Sequence, residues 1–144
     1  SPLHEVIYGP SARKRDKIFR LIELGADVNA IDGSEDTPCE AAAGRGQFEL
    51  VIELLNAGAD HNIYASNSNR QLIHDVLIEE RSLPRYSQKQ QADYKKLLVM
   101  LKDRGVDIEA ARADLARWSA PGLPGSYREM MNKEVAERKA REAR

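Results

Sequence analysis

Apolar residues recur along most of the chain in short runs at helical spacing, each bounded by glycine, proline or a small polar residue. In the middle of the chain, Ala41, Ala42 and Ala43 form a slim apolar run that Gly44 and Gly46 interrupt; Phe48, Val51, Leu54 and Leu55 then recur with the period of a helix as far as Gly58. This pattern predicts a helical hairpin. Thr37 is placed to cap its first helix with Pro38 at the first helical position, and Gly58 to take the left-handed position past the end of the second. Upstream, Gly9-Pro10-Ser11 ends one helix, and another starts near Ala12 and turns Ile18, Leu21 and Ile22 inward. Downstream, Leu72, Ile73, Val76 and Leu77 continue a stripe that Ser82-Leu83-Pro84 breaks, and Ser87 caps a helix that packs through Tyr94, Leu97, Leu98 and Leu101. Both helices of this third hairpin are expected to be a turn or two longer than the others, with the loop from Leu83 to Ser87 protruding.

One phrase returns three times: Gly25-Ala26-Asp27-Val28-Asn29, Gly58-Ala59-Asp60-His61-Asn62 and Gly105-Val106-Asp107-Ile108-Glu109, with glycines 33 and then 47 residues apart. A second phrase opens each unit, as Ser1-Pro2-Leu3-His4, Thr37-Pro38-Cys39-Glu40 and, more loosely, Gln71-Leu72-Ile73-His74. Opener and glycine are separated by 24, 21 and 34 residues, so the third unit carries an insertion. Small alanines in the first helix against bulky side chains in the second imply close neighbours on both sides, and hence stacked hairpins.

The opener, the spacing of 33 and the Gly-Ala-Asp phrase together resemble the ankyrin repeat over residues 1–109. The resemblance implies an all-α solenoid of L-shaped units whose polar turns project as fingers, with first helices lining a concave face and second helices a convex back. Glu40 stands where that pattern has His, Cys39 where it has Leu, and the third opener lacks both Thr and Pro. Residues 110–144 lose the period and are expected to form a helical C-terminal cap and a charged tail. A helix from Ala110 to Trp118, a rigid turn at Pro121–Gly125 and a capping box of Ser126 with Glu129 are read there. Leu115, Trp118, Tyr127, Met130 and Met131 would cover the last unit, while the residues from Lys133 onward would leave the core and fray.

Composition narrows the function. With 22 Lys plus Arg against 23 Asp plus Glu, the net charge of -1 gives no general affinity for nucleic acid. No apolar run approaches the length of a membrane span. One cysteine permits no internal disulfide, and no basic start with an apolar block opens the chain, so a soluble and cytoplasmic setting is expected.

Candidate chemistry is sparse. His4 and His74 occupy the same place in two units and are better suited to bonding a neighbouring turn than to converging on a metal; His61 has no ligand partner at a useful spacing. Cys39 reads as a small buried hydrophobe. No phosphate loop, nucleophile elbow or His-Glu-x-x-His helix occurs, and Asp27, Asp60 and Asp107 recur as turn residues. Neither an enzyme nor a bound cofactor or metal is expected. Arg13, Lys14, Arg15, Lys17 and Arg20 stand against Asp16 on a helix whose opposite side is apolar, as on a solvated back, with contact to an anion or a partner as the alternative.

The resemblance directs attention to the fingers and the inner face. Asp32, Glu35, Asp36 and Glu40 cluster in and just inside the second finger, and Glu5, Asp75, Glu79 and Glu80 extend the acidic surface. The third finger, Tyr64 to Arg70, combines an aromatic residue, the amides of Asn67 and Asn69 and an arginine, a composition favoured at interfaces. Tyr8, Gly44, Arg45 and Ile78 fall at inner-helix positions that bind partners in similar repeats. The expected function is therefore binding of a protein with a basic patch by a chain that is monomeric alone, in the manner of an inhibitor or of an immunity protein that neutralises a bacterial toxin. The alternative is a scaffold, or a host-directed adaptor, acting through self-association or a longer array.

Overall fold

The structure is a computed structural model and describes residues 1–10, 12–31, 33, 35–65, 67–119 and 127–144. Among the described residues there are eight α-helices and no strand: α1 (Pro2–Tyr8), α2 (Lys14–Glu23), α3 (Pro38–Gly44), α4 (Phe48–Asn56), α5 (Leu72–Ile78), α6 (Gln88–Asp103), α7 (Ile108–Trp118) and α8 (Tyr127–Glu142). A 3₁₀ segment, Glu79–Arg85, follows α5. Helix α1 packs on α2 and α3, α3 on α4 and α5, and α5 on α7, while α2 packs on α4 and α4 on α6. The contacts thus run along two rows, α1–α3–α5–α7 and α2–α4–α6. Helix α8 rests on α7 at one end.

Local sequence sets the helix boundaries. Thr37 and Glu40 form a reciprocal capping box, with Glu40 N donating to Thr37 Oγ1 at 3.2 Å and Thr37 N to Glu40 Oε1 at 3.1 Å. Ser87 and Gln90 repeat it at α6, and the Asp107 carboxylate caps α7 by accepting from Ala110 N at 3.0 Å. At the other end, α4 stops at Gly58, whose φ of +98° lies where a Cβ is disfavoured, and Ala59 N then reaches back to Leu54 O at 3.0 Å. Gly25 and Gly105 close α2 and α6 by the same bond. Past each glycine the aspartate folds the turn: Asp27 accepts from Asn29 N at 2.9 Å and Asp60 from Asn62 N at 2.8 Å. One turn also holds the next, since Asp60 N donates to Asn29 Oδ1 at 2.8 Å.

The core lies between the rows. Leu3, Ile7, Ile18, Val51, Leu54, Val76, Leu97 and Leu101 are fully buried, and Ala41–Ala43 are buried where α3 meets both α1 and α5. Two expectations are corrected. Helix α5 has seven residues, as α1 and α3 have, so the insertion lengthens only α6, to 16 residues against nine in α4. The inserted residues do not protrude: Leu83 and Tyr86 pack against the core, with the Tyr86 ring edge-on to Phe48 at 5.7 Å. Their carbonyls both accept from the Gln91 side chain, which folds the segment back onto α6.

The C-terminal region also departs from expectation. Trp118, Met131 and Val135 form a buried cluster with Leu115 and Met130 around it, but Tyr127 is exposed. Far from fraying at Lys133, α8 continues to Glu142, because Val135 and Arg138 recur on the face that Met131 begins. The Pro121–Gly125 turn, Ser126 and Ser11 lie outside the described residues.

Gly46 and Gly58 should respond differently to alanine. Gly46 has φ of +68°, and a Cβ there would stand 2.5 Å from the ring of Tyr86, whose hydroxyl is held by Glu79; around Gly58 nothing lies within 4 Å. Urea unfolding is expected to show that Gly58→Ala costs about 1–2 kcal/mol for the left-handed backbone. Gly46→Ala should cost about 1–3 kcal/mol more, from the added overpacking. Equal losses would mean that the Tyr86 ring does not constrain the turn.

Candidate functional site

Row one ends in an exposed aromatic–guanidinium pair. Tyr8 closes α1 and Arg45 follows α3; since these helices are neighbours, the Arg45 guanidinium stands 4.6 Å from the Tyr8 ring centroid. Tyr8 keeps 37% of its surface exposed, Gly44, Arg45 and Glu5 are exposed, and Ile78 and Glu79 are half-buried. Glu79 accepts the Tyr86 hydroxyl at 2.5 Å, and burial together with this bond pushes the Tyr86 phenol up to about 12. Glu80, near the end of the row, pairs with Arg112 at 2.7 Å.

The acidic surface expected inside the second finger is largely internal. Glu40 is only 4% exposed, because a capping-box glutamate must point back at the start of its own helix. Asp75 is 9% exposed, on the α5 side that packs against α3. Between them lies Arg70, which donates to Asp36 Oδ1 at 2.9 Å and pairs with Asp75 Oδ1 at 3.3 Å. Arg70 is thus a bridge from the second turn to α5 and not a free fingertip. The second oxygens of Glu40 and Asp75 have no hydrogen-bond partner among the described residues. Burial raises the Asp75 carboxyl to about 8, against the pull of Arg70 and with help from Glu40, Asp36 and Glu79; burial likewise raises Glu40, opposed by its bonds to Thr37. Glu35 is exposed at φ +68°, and Asp32 lies outside the described residues.

The third turn is covered as well. Ala65 N donates to Arg70 O at 2.8 Å and closes it, leaving Asn67 exposed at φ +52°. Tyr64 and Asn69 face α8: the Arg138 guanidinium stands 3.8 Å from the Tyr64 ring centroid and its Nε donates to Asn69 Oδ1 at 2.7 Å. The sequence reading missed Arg138 by treating a charged tail as solvated. Its spacing of three and seven residues from Val135 and Met131 was the available signal.

His4 and His74 serve structure. His4 Nε2 lies 2.8 Å from Asp36 O and Nδ1 2.6 Å from Ser1 Oγ, tying α1 to the second turn. His74 accepts from Gln71 N at 2.9 Å through Nδ1, so that in the neutral ring Nε2 donates to Asp114 at 2.9 Å. Burial pushes the Cys39 thiol up to about 12, an unreactive state. No group of His, Cys, Asp or Glu among the described residues is arranged to hold a metal ion. The basic helix is largely matched, as Arg13 pairs with Asp16, Arg20 with Glu23, and Arg15 with Glu49 and Glu53. No described helix is long and apolar enough to cross a membrane.

No family model matches the chain. In an alignment 79 residues long that covers 51% of the chain, it is 38% identical to Protein lin-12 of Caenorhabditis elegans. That stretch is 6% of the lin-12 chain.

Protonated Asp75 gives a pH dependence of defined sign. Its folded pKa lies above the unfolded value, so between about pH 4 and pH 8 the folded state holds a proton that the unfolded state has lost. This carboxyl therefore lowers stability as pH rises through that window, by up to about 1.4 kcal/mol per pH unit, and adds no slope above it. Urea unfolding from pH 5 to pH 8 should show a downward slope in the native chain that Asp75→Asn removes. Parallel profiles for the two chains would contradict it.

Proposed function

We propose that the chain is an array of ankyrin-type hairpin units and that it binds a partner protein through its first-row helices. The observation that carries the binding site is the Tyr8–Arg45 pair, an exposed ring and guanidinium presented together by adjacent helices. Tyr and Arg are the residues most enriched where interfaces concentrate their energy, and a stacked pair loses less freedom on binding than two loose side chains. The repeat reading draws on the two rows of contacts, on the identical closure at Gly25, Gly58 and Gly105, and on the link from Asp60 to Asn29. A similarity restricted to 6% of lin-12 is what a short module shared by otherwise different proteins leaves.

The partner's charge now matters less. With Asp36 and Asp75 bound to Arg70 and Glu40 capping α3, the acidic surface offers a cationic partner chiefly the exposed Glu5 and Glu35, and the half-buried Glu79. An inhibitor of a basic toxin or enzyme, of the immunity kind, is the finer form of this reading, and its association should weaken only modestly with salt. The scaffold reading has its own support in Leu24 and Ile31, exposed by 66% and 56% in and near the turn after α2. Self-association that rises with concentration in sedimentation would favour it.

Capture from the lysate of the source cell tests the proposal, with the native chain and an equally folded Tyr8→Ala/Arg45→Glu variant as baits. A protein retained by the native chain should bind the variant at least about tenfold more weakly, as loss of an interface centre does. Equal retention would move the site off the first-row helices.

A further inference from the structure

Among the described residues, helix α8 meets the rest of the chain chiefly through one stripe, with Met130 beside it. Met131, Glu134, Val135 and Arg138 stand at the spacing i, i+3, i+4, i+7, by which an amphipathic helix lies in a groove. Met131 and Val135 bury against Trp118. The Glu134 carboxylate accepts from Trp118 Nε1 and from Arg117 Nε, both at 2.7 Å. Arg138 reaches Tyr64 and Asn69 in the third turn, whose Asn69 N–H points at Met131 Sδ at 3.3 Å. Lys133, Ala136, Glu137 and Lys139, off this stripe, are exposed.

Two further features describe how α8 is seated. Only Met131 and Val135 of its sixteen residues are buried, and they join a cluster with Trp118 that is separate from the main core. The surface beneath combines an aromatic ring, an amide and an indole N–H, so it can grip a helix through a cation, a carboxylate and aliphatic groups at once.

We propose that α8 is a ligand held in cis. The surface made by Tyr64, Asn69 and Trp118 is a helix-binding surface, and a partner gains it by displacing α8 with an amphipathic helix that carries an arginine at the place of Arg138 and aliphatic residues three and seven positions before it. This rests on the reading of the chain as a protein-binding array and adds its regulation. While α8 is docked the third turn is closed. Tyr8 and Arg45 remain exposed at the C-terminal ends of α1 and α3.

The test uses the full chain and a fluorescein-labelled peptide of residues 127–144, read by fluorescence anisotropy. The native chain should bind the peptide weakly, because a tethered competitor occupies the surface. A Val135→Asp/Arg138→Ala chain should bind it at least about tenfold more tightly, since the apparent affinity scales with the fraction of open surface. Peptide carrying its own Arg138→Ala should lose most of that gain. If the double variant keeps amide protection in α3 and α4 yet binds no more tightly than the native chain, α8 is a cap and the proposal falls. Loss of that protection in the variant also overturns it, because α8 would then be integral to the fold. No outside partner takes part, so either failure leaves binding through Tyr8 and Arg45 standing, and failed capture there leaves this result untouched.

Discussion

The close approach of α3 to its two row-one neighbours is the constraint on which the rest of the structure depends. Ala41, Ala42 and Ala43 are buried with no more than a methyl group each, so α1 and α5 can press on α3 from opposite sides while Phe48, Val51 and Leu54 fill the space toward row two. Helices separated by small side chains pack at the short end of interaxial distances, and interiors tolerate little added volume. No hairpin here buries its apolar side alone. The stability of each is therefore shared with the helices it packs against.

That packing also fixes the polar turns. Because α1 lies against α3, His4 can reach Asp36 O at 2.8 Å; because α5 lies against α3, Arg70 can span Asp36 and Asp75. The turns are pinned from within by groups that a surface description would assign to binding. On the proposed binding reading, what remains for a partner is the edge where row-one helices end, with Tyr8 and Arg45, and the surface that α8 now covers.

How much of this the sequence displayed follows from the range of each interaction. The helix starts at Thr37-Pro38 and Ser87, and the stops at Gly25, Gly58 and Gly105, were legible because capping bonds close within three to five residues, whereas α7 starts at Ile108 under an Asp107 cap and not at the expected Ala110. The core stripes were legible from their period. The bridge made by Arg70 was not, since its Asp36 end lies 34 residues away, and for Arg138 the helical spacing from Met131 and Val135 marked the face but not Asn69, 69 residues away. Glu40 sits between these cases: its place three residues after Thr37 marked a capping box, and the unit's acidic surroundings drew the reading to the surface instead. The inserted segment was mistaken for a protrusion because Leu83 and Tyr86 find the core only once Phe48 is in place.

Residue-resolved hydrogen exchange of the native chain and of Ala42→Leu tests the shared packing most directly. Ala42 is fully buried on a helix packed by α1, α4 and α5, so the added side chain has no room, and overpacking of this kind costs about 1–3 kcal/mol. If the hairpins are stabilised jointly, amide protection will fall together in α1, α3 and α5 and, to a similar extent, in α4. A loss confined to α3, with α1 and α5 as protected as in the native chain, would show that the hairpins stand independently and would contradict the account.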